Sequence, residues 1–122
     1  MIQIYEAGLS GLPGLTLPSA FDPGHGVHAW HLYTINVDAA EAGITRDDLT
    51  QLKEMQVGTG VHYTAVHLHQ YYRETYHYQR GDLPNTEWIS DRTLSLPLTA
   101  KMTSGDAEYV VDAIRFALGR RR

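Results

Sequence analysis

Gly58-Thr59-Gly60-Val61-His62-Tyr63 is the segment whose residue types come nearest to a chemical site. A Gly-x-Gly turn can cradle a phosphate with its backbone N–H groups, and an imidazole beside it can exchange hydrogen bonds with a ligand oxygen. The Walker lysine is absent and no Gly-x-Gly-x-x-Gly follows. The glycines therefore read first as a backbone requirement, a positive φ where a helix turns into a strand. His62 keeps two readings on its own residues, an imidazole facing a ligand or a half-buried ring satisfied by the backbone.

The chain holds 7 histidines. His67 and His69 would share one face of an extended segment near His62, and His25, His28 and His31 form a second group. A metal site needs three or four converging ligands with an ordered shell behind them, and no His-Glu-x-x-His or acidic ligand spacing is present, so no metal is expected. Tyr63, Tyr71, Tyr72, Tyr76 and Tyr78 interleave with Arg73 and Arg80 and could stack bases, but they read more simply as amphipathic packing. Trp30 and Trp88 read as core aromatics. Ser95 lies in Leu-Ser-Leu-Pro without the glycines of a nucleophile elbow, which argues against a hydrolase triad. A cofactor Schiff base would need Lys53 or Lys101, and Lys53 falls off the apolar stripe of its helix while Lys101 falls in a turn. Asp48 and Glu87 have no spacing that singles them out as an acid/base pair. No residue is expected to be catalytic.

These residues sit in a chain of 122 residues, enough for one core. Its 43% hydrophobic and 20% charged content is that of a globular domain. A formal charge of −4 argues against a nucleic-acid partner, and the only basic run is Arg120-Arg121-Arg122, which reads as a solvated tail. Without cysteine there are no disulfides and no thiolate chemistry, which fits a reducing cytosol. Neither a signal peptide nor a membrane-length apolar run is present, so the expectation is a soluble, cytoplasmic protein with no membrane partner.

The elements that must position the segment follow from periodicity and caps. Ile2, Tyr5 and Leu9 have helical spacing in a run too short to stand alone, so residues 1–9 read as the last turns of a longer helix. Residues 12–18 form a turn and a short edge strand, and 19–27 a loop. Trp30–Val37 is the best strand, with Trp30, Leu32, Thr34 and Asn36 on one face and His31, Tyr33, Ile35 and Val37 on the other. Thr45 caps a helix over 46–56 in an approximate capping box with Asp48, with Leu49, Leu52 and Met55 as its buried stripe. Residues 57–63 are extended, 70–78 a short helix, and Pro84 opens a helix to Arg92. Residues 94–96 form a third strand ended by Pro97. Thr103–Asp106 caps a last helix whose stripe is Ala107, Val110, Val111, Ile114, Ala117 and Leu118. The mixture implies an α+β two-layer sandwich, a small antiparallel or mixed sheet with helices packed on it, as a single domain over 1–122.

Read as a set, Gly58-Thr59-Gly60-Val61-His62-Tyr63, His67, Tyr71-Tyr72-Arg73-Glu74, Leu83-Pro84-Asn85-Thr86-Glu87-Trp88 and Ser95-Leu96-Pro97-Leu98 resemble the C-terminal part of the DegT/DnrJ/StrS family of pyridoxal-phosphate sugar aminotransferases. The branch most similar makes amino-arabinose for lipid A. The resemblance runs from about Tyr5 to Leu118. It implies the small C-terminal domain of a fold-type I enzyme, with 1–9 the remnant of the inter-domain helix. In the intact family glutamate gives its amino group to a keto-sugar nucleotide through pyridoxal phosphate. The cofactor belongs to a large domain for which this chain has no room, so no cofactor is expected here and the chain alone should be inert. The turn at 58–60 would aim His62 and Tyr63 at the substrate cleft, with the tyrosines as cover. The partners implied are a large cofactor-binding domain or split-gene partner, and a second copy in a homo-oligomer associating through Met1–Leu17. The start at Met1 inside an inter-domain helix favours a split or truncated enzyme. The alternative is a free-standing sugar-nucleotide-binding or interaction module using the His62/Tyr63 face.

Overall fold

The fold is that of a computed structural model describing residues 1–19, 24 and 26–119. His25 and the tail Arg120-Arg121-Arg122, singled out above, lie outside the described residues. Helix α1 spans Ile2–Leu9, and strand β1 is the two-residue Leu15–Thr16. Strand β2 (Tyr33–Val37) is followed by α2 (Ala39–Ala42) and α3 (Arg46–Leu49), which continues as a 3-10 turn over Thr50–Met55. A second 3-10 turn (Val66–Leu68) leads into α4 (Gln70–Tyr76). Then come α5 (Pro84–Arg92), β3 (Thr93–Leu96) and the long α6 (Ser104–Gly119). The three strands form one antiparallel sheet in the order β1-β2-β3, so the fold is α+β as expected.

Alternation along the strands divides the sheet into two faces. Tyr33 pairs with Leu96 and Ile35 with Leu94, and these side chains join α1 and α6 in one apolar core. Tyr5 and Leu9 of α1 meet the α6 stripe of Ala107, Val110, Val111, Ile114 and Leu118. At Gly8 the helices are so close that a Cβ would lie 2.5 Å from Val111. Arg115 of α6 also donates to the Gly8 carbonyl. Tertiary packing is thus what holds the eight-residue α1 in helical form. Tyr5 and Leu9 are the buried residues of its apolar side, while Met1, Ile2 and Ile4 are half-buried against the same core. The Tyr5 hydroxyl donates to the Pro97 carbonyl at 2.6 Å, and burial, with Tyr33 beside it, pushes its pKa up to about 12. It stays a donor at any physiological pH.

Both predicted caps are present. Thr45 and Asp48 exchange side-chain and backbone hydrogen bonds at 2.7–3.1 Å, and Thr103 with Asp106 does the same at 2.7–3.2 Å. Donation from Thr103 holds the Asp106 carboxyl below its ordinary pKa.

Several expectations need correction. The strand does not begin at Trp30, whose φ of 45° cannot continue an extended chain and whose N–H donates to His28 Nδ1. The helix over 46–56 gives way to 3-10 geometry after Leu49, and its left-handed terminus is Gln56, at φ 60°. Gly58 and Gly60 are not among the positive-φ residues, so the turn does not explain them. A left-handed glycine is required instead at Gly14, where φ is 72° and a Cβ would collide with the Ala42 backbone. Trp30 packs half-buried against the core, but Trp88 is exposed and carries the Arg92 guanidinium 4.8 Å above its ring.

Ile114 of α6 is fully buried in the apolar core. Ile114→Ala is expected to cost roughly 2–5 kcal/mol through lost burial and a residual cavity. The exposed Asp112→Ala on the same helix should stay within about 0.5 kcal/mol. Paired urea melts check both values.

Candidate functional site

The second face of the sheet is polar: Thr34, Asn36, Thr93 and Ser95 alternate with the core residues. It is nonetheless covered, and Ser95 is only 4% exposed. Gly60 extends this face beyond β3 by exchanging two backbone hydrogen bonds with Ser95, at 3.1 and 2.7 Å. The chain then turns over the sheet, and His62 Nδ1 meets the Ser95 hydroxyl at 2.8 Å. The His62–Tyr63 peptide is cis. Tyr63 presents its ring edge-on to His62, with centroids 4.9 Å apart, and is 71% exposed. His62 is half-buried: one side of the ring is tied to the sheet and the other is reachable from solvent.

The glycine at position 60 has a steric reason that the turn does not supply. A Cβ there would lie 2.7 Å from His62 Cε1, so only glycine admits the imidazole in this position. Sequence reasoning set Ser95 aside for lacking a nucleophile elbow, and missed that it pairs with a histidine 33 positions earlier. The pair is no hydrolytic dyad: the serine oxygen is buried beneath the ring, out of reach of a substrate carbonyl.

A second polar constellation escaped the sequence. Glu87, on α5, is 6% exposed, and its carboxylate accepts from His67 Nε2 at 3.0 Å and from Gly81 N–H at 2.8 and 3.1 Å. Leu83 N–H lies at 3.4 Å and Arg80 at 3.7 Å. Burial alone would raise the carboxyl pKa, but donation from Gly81, His67 and Leu83 with the charge of Arg80 outweighs it, and the net shift is downward. Arg80 is itself held by Asp91 in a two-pronged pair at 2.8 and 3.2 Å. The effect is mechanical. No residue of α4 is buried, so the excursion through Tyr71, Tyr72, Tyr76 and Tyr78 is fastened at its base by the Glu87 carboxylate. The four tyrosines contact one another on the outside of the domain, and Tyr78 also packs edge-on against the buried His67 ring.

His67 therefore points inward to Glu87 while His69 is exposed, and the two do not share a face. No group of three metal-ligating side chains exists among the described residues. No helix among them is long and apolar enough to cross a membrane. Lys53 and Lys101 are both exposed. A groove of about 920 Å³ is lined by Ile44, Leu52, Met55 and Phe116 together with Asp48 and Glu54, charges that disfavour a phosphate.

Comparison with known proteins adds scale to this geometry. The family model described as the DegT/DnrJ/EryC1/StrS aminotransferase family matches residues 1–115. The chain is 42% identical over 113 residues to the spore coat polysaccharide biosynthesis protein SpsC of Bacillus subtilis, covering 91% of this chain and 28% of that protein. Among solved structures it is similar to DesV of S. venezuelae, crystallised with a ketimine intermediate, at 32% identity and a TM-score of 0.79, over 97% of this chain and 30% of that one. It is also similar to DesI in the presence of its TDP-sugar product, at 29% identity and a TM-score of 0.81, over 97% and 29%. The chain thus spans less than a third of the length of these relatives.

Because the folded Glu87 pKa is lowered, its stabilisation is complete above the unfolded value, about 4.3, and is lost as pH falls through the folded value. Glu87→Gln is therefore expected to melt lower than the parent near neutral pH, with the difference shrinking as pH is brought toward about 3. Thermal melts across that range check it.

Proposed function

Since the chain belongs to the DegT/DnrJ/EryC1/StrS aminotransferase family, we propose that it is the small domain of a pyridoxal-phosphate-dependent nucleotide-sugar aminotransferase, and that it acts only with a large cofactor-binding domain. The chemistry the cofactor supplies, movement of an amino group from glutamate to a keto-sugar nucleotide, belongs to that larger partner. What this chain contributes is recognition. In this reading His62 lines the substrate side of the cleft, with Tyr63 beside it, and the domain closes over the bound sugar nucleotide and excludes water.

The observation that carries the proposal is the placement of His62: fastened to the buried Ser95 on one side, reachable on the other, and flanked by a tyrosine ring that the domain leaves exposed. A side chain held in one orientation loses little entropy when it binds a ligand, which is what a recognition group requires. The TDP-sugar product seen with DesI supports a nucleotide-linked sugar as the ligand class. The tyrosines of the 69–78 excursion suit cover of the cleft, because none of them is buried in this domain. The position of Lys53 and Lys101 on the surface supports inertness of the chain alone.

Two measurements test this. Mixed with pyridoxal phosphate under mild conditions, the chain should develop no absorbance of a lysine-bound cofactor. Such a band, lost in Lys53→Ala or Lys101→Ala, would refute its inertness. With a separately produced large domain supplied, amino transfer to a keto-sugar nucleotide should appear. His62→Ala should then lower kcat/KM by roughly tenfold to a hundredfold, the worth of one hydrogen bond to a charged group. The same change should cost about 1 kcal/mol of stability in urea, because it leaves the buried Ser95 hydroxyl unpaired. Unchanged transfer by His62→Ala would remove His62 from the site.

A further inference from the structure

Ser95 has one side-chain partner, and its identity constrains the chemistry His62 can perform. The serine backbone N–H and carbonyl are both committed to Gly60 across the strand bridge. Its hydroxyl is buried, and among the described residues its one hydrogen bond is to His62 Nδ1. A serine oxygen can donate or accept, but the two choices are not equal here. If Nδ1 carried the proton and donated, the serine proton would be left without an acceptor in a buried place, at the desolvation cost of an unmade hydrogen bond. If the serine donates to an unprotonated Nδ1, every polar group at the contact is satisfied. In a neutral ring the proton then resides on Nε2. That nitrogen makes no hydrogen bond among the described residues, and it is not among the buried atoms lacking a partner.

Gly60 closes the arrangement from below. The His62 ring lies over its Cα so closely that a methyl group would sit 2.7 Å from Cε1 and 3.3 Å from Nδ1. The ring can rest against the serine only because position 60 has no side chain.

We infer that Ser95 and Gly60 are positioning residues that hold His62 as its Nε2–H tautomer, so that the site offers a fixed N–H donor to an acceptor oxygen of the nucleotide sugar. This rests on the proposed role of His62, but it makes a separate claim about the ring itself. When His62 gains a proton, the serine hydroxyl rotates and accepts from Nδ1–H, and Nε2–H still points outward. The outward group is a donor in both states. It suits phosphate, carboxylate or hydroxyl oxygens and is unsuited to accepting a proton from a ligand.

The tautomer can be read directly on the full chain by long-range proton–nitrogen correlation, at a pH well above imidazole titration. His62 in the parent protein should show an unprotonated Nδ1 and a protonated Nε2, with a nuclear Overhauser contact from Hε1 to the Gly60 α-protons. In Ser95→Ala the separation between the two nitrogen shifts should narrow toward that of a ring exchanging tautomers, and the contact should weaken. Ser95→Thr, which keeps the hydroxyl, should restore both signatures. Gly60→Ala should narrow the separation with Ser95 intact, by pushing the ring away. A protonated Nδ1 in the parent protein overturns the inference without any variant, and so do nitrogen shifts unchanged in Ser95→Ala. No nucleotide sugar enters the measurement, so its failure counts against Ser95 and Gly60 alone, whereas failure of the reconstituted transfer counts against the role of His62 in recognition.

Discussion

Pleating sends Leu94 and Leu96 of β3 into the apolar core and Thr93 and Ser95 to the opposite face, and all four are buried. The strand can be covered on both sides because α1 and α6 close over the first face while residues 60–65 and the α5 region lie over the second. The core and the candidate site are therefore two faces of one four-residue strand. A one-residue slip in its pairing with β2 would exchange them, putting Ser95 among leucines and a leucine beneath His62. Tyr33 and Ile35, both fully buried opposite Leu96 and Leu94, hold that register.

A different device holds the segment between the site and α5. Residues 69–83 leave the body of the domain, form a helix with no buried face, and return. A seven-residue helix of this kind has no stability of its own. Glu87 substitutes for a core: one buried carboxylate collects His67 on the outgoing arm and Gly81 and Leu83 on the returning arm. Burying a charge is costly unless it is fully hydrogen-bonded, and several convergent donors meet that condition here. Ser90, one turn further along α5, accepts from Ala65 N–H and ties the same helix to the segment that carries His62. The site and the tyrosine-bearing excursion thus share one anchor.

The proposed role is that of a domain completing a larger one, and the distribution of exposed aromatics supports it. The chain covers less than a third of the relatives it matches, and its exposed aromatics concentrate in the stretch from Tyr63 to Trp88. The face bearing His62, Tyr63 and the tyrosine helix carries most of the open aromatic surface, with Tyr109 and Phe116 of α6 exposed elsewhere.

What the sequence determined by itself is local or periodic. The caps at Thr45 and Thr103 were legible because a capping box closes within four residues, and the stripe of α6 because helical spacing repeats along sixteen. The division of β2 into two faces followed from alternation in the same way, and packing decided which of them is the core. The spaced blocks from Gly58 to Leu98 carried the family, because they are a pattern of residues and need no geometry. What only the tertiary structure decided depends on contacts between residues distant in sequence. Gly60 read as a left-handed turn, yet its reason is a ring folded back over it. Ser95 read as inert between leucines, but 33 residues separate it from the imidazole it supports. Glu87 had no visible partner, since His67 lies 20 residues away and the other donors are backbone N–H groups, which no residue type announces. Trp88 read as core by its size, whereas the α5 positions turned inward are Glu87 and Ser90. Propensity and periodicity act along the chain; the burial that makes a polar side chain a site acts across it, and is settled only when strands and helices meet.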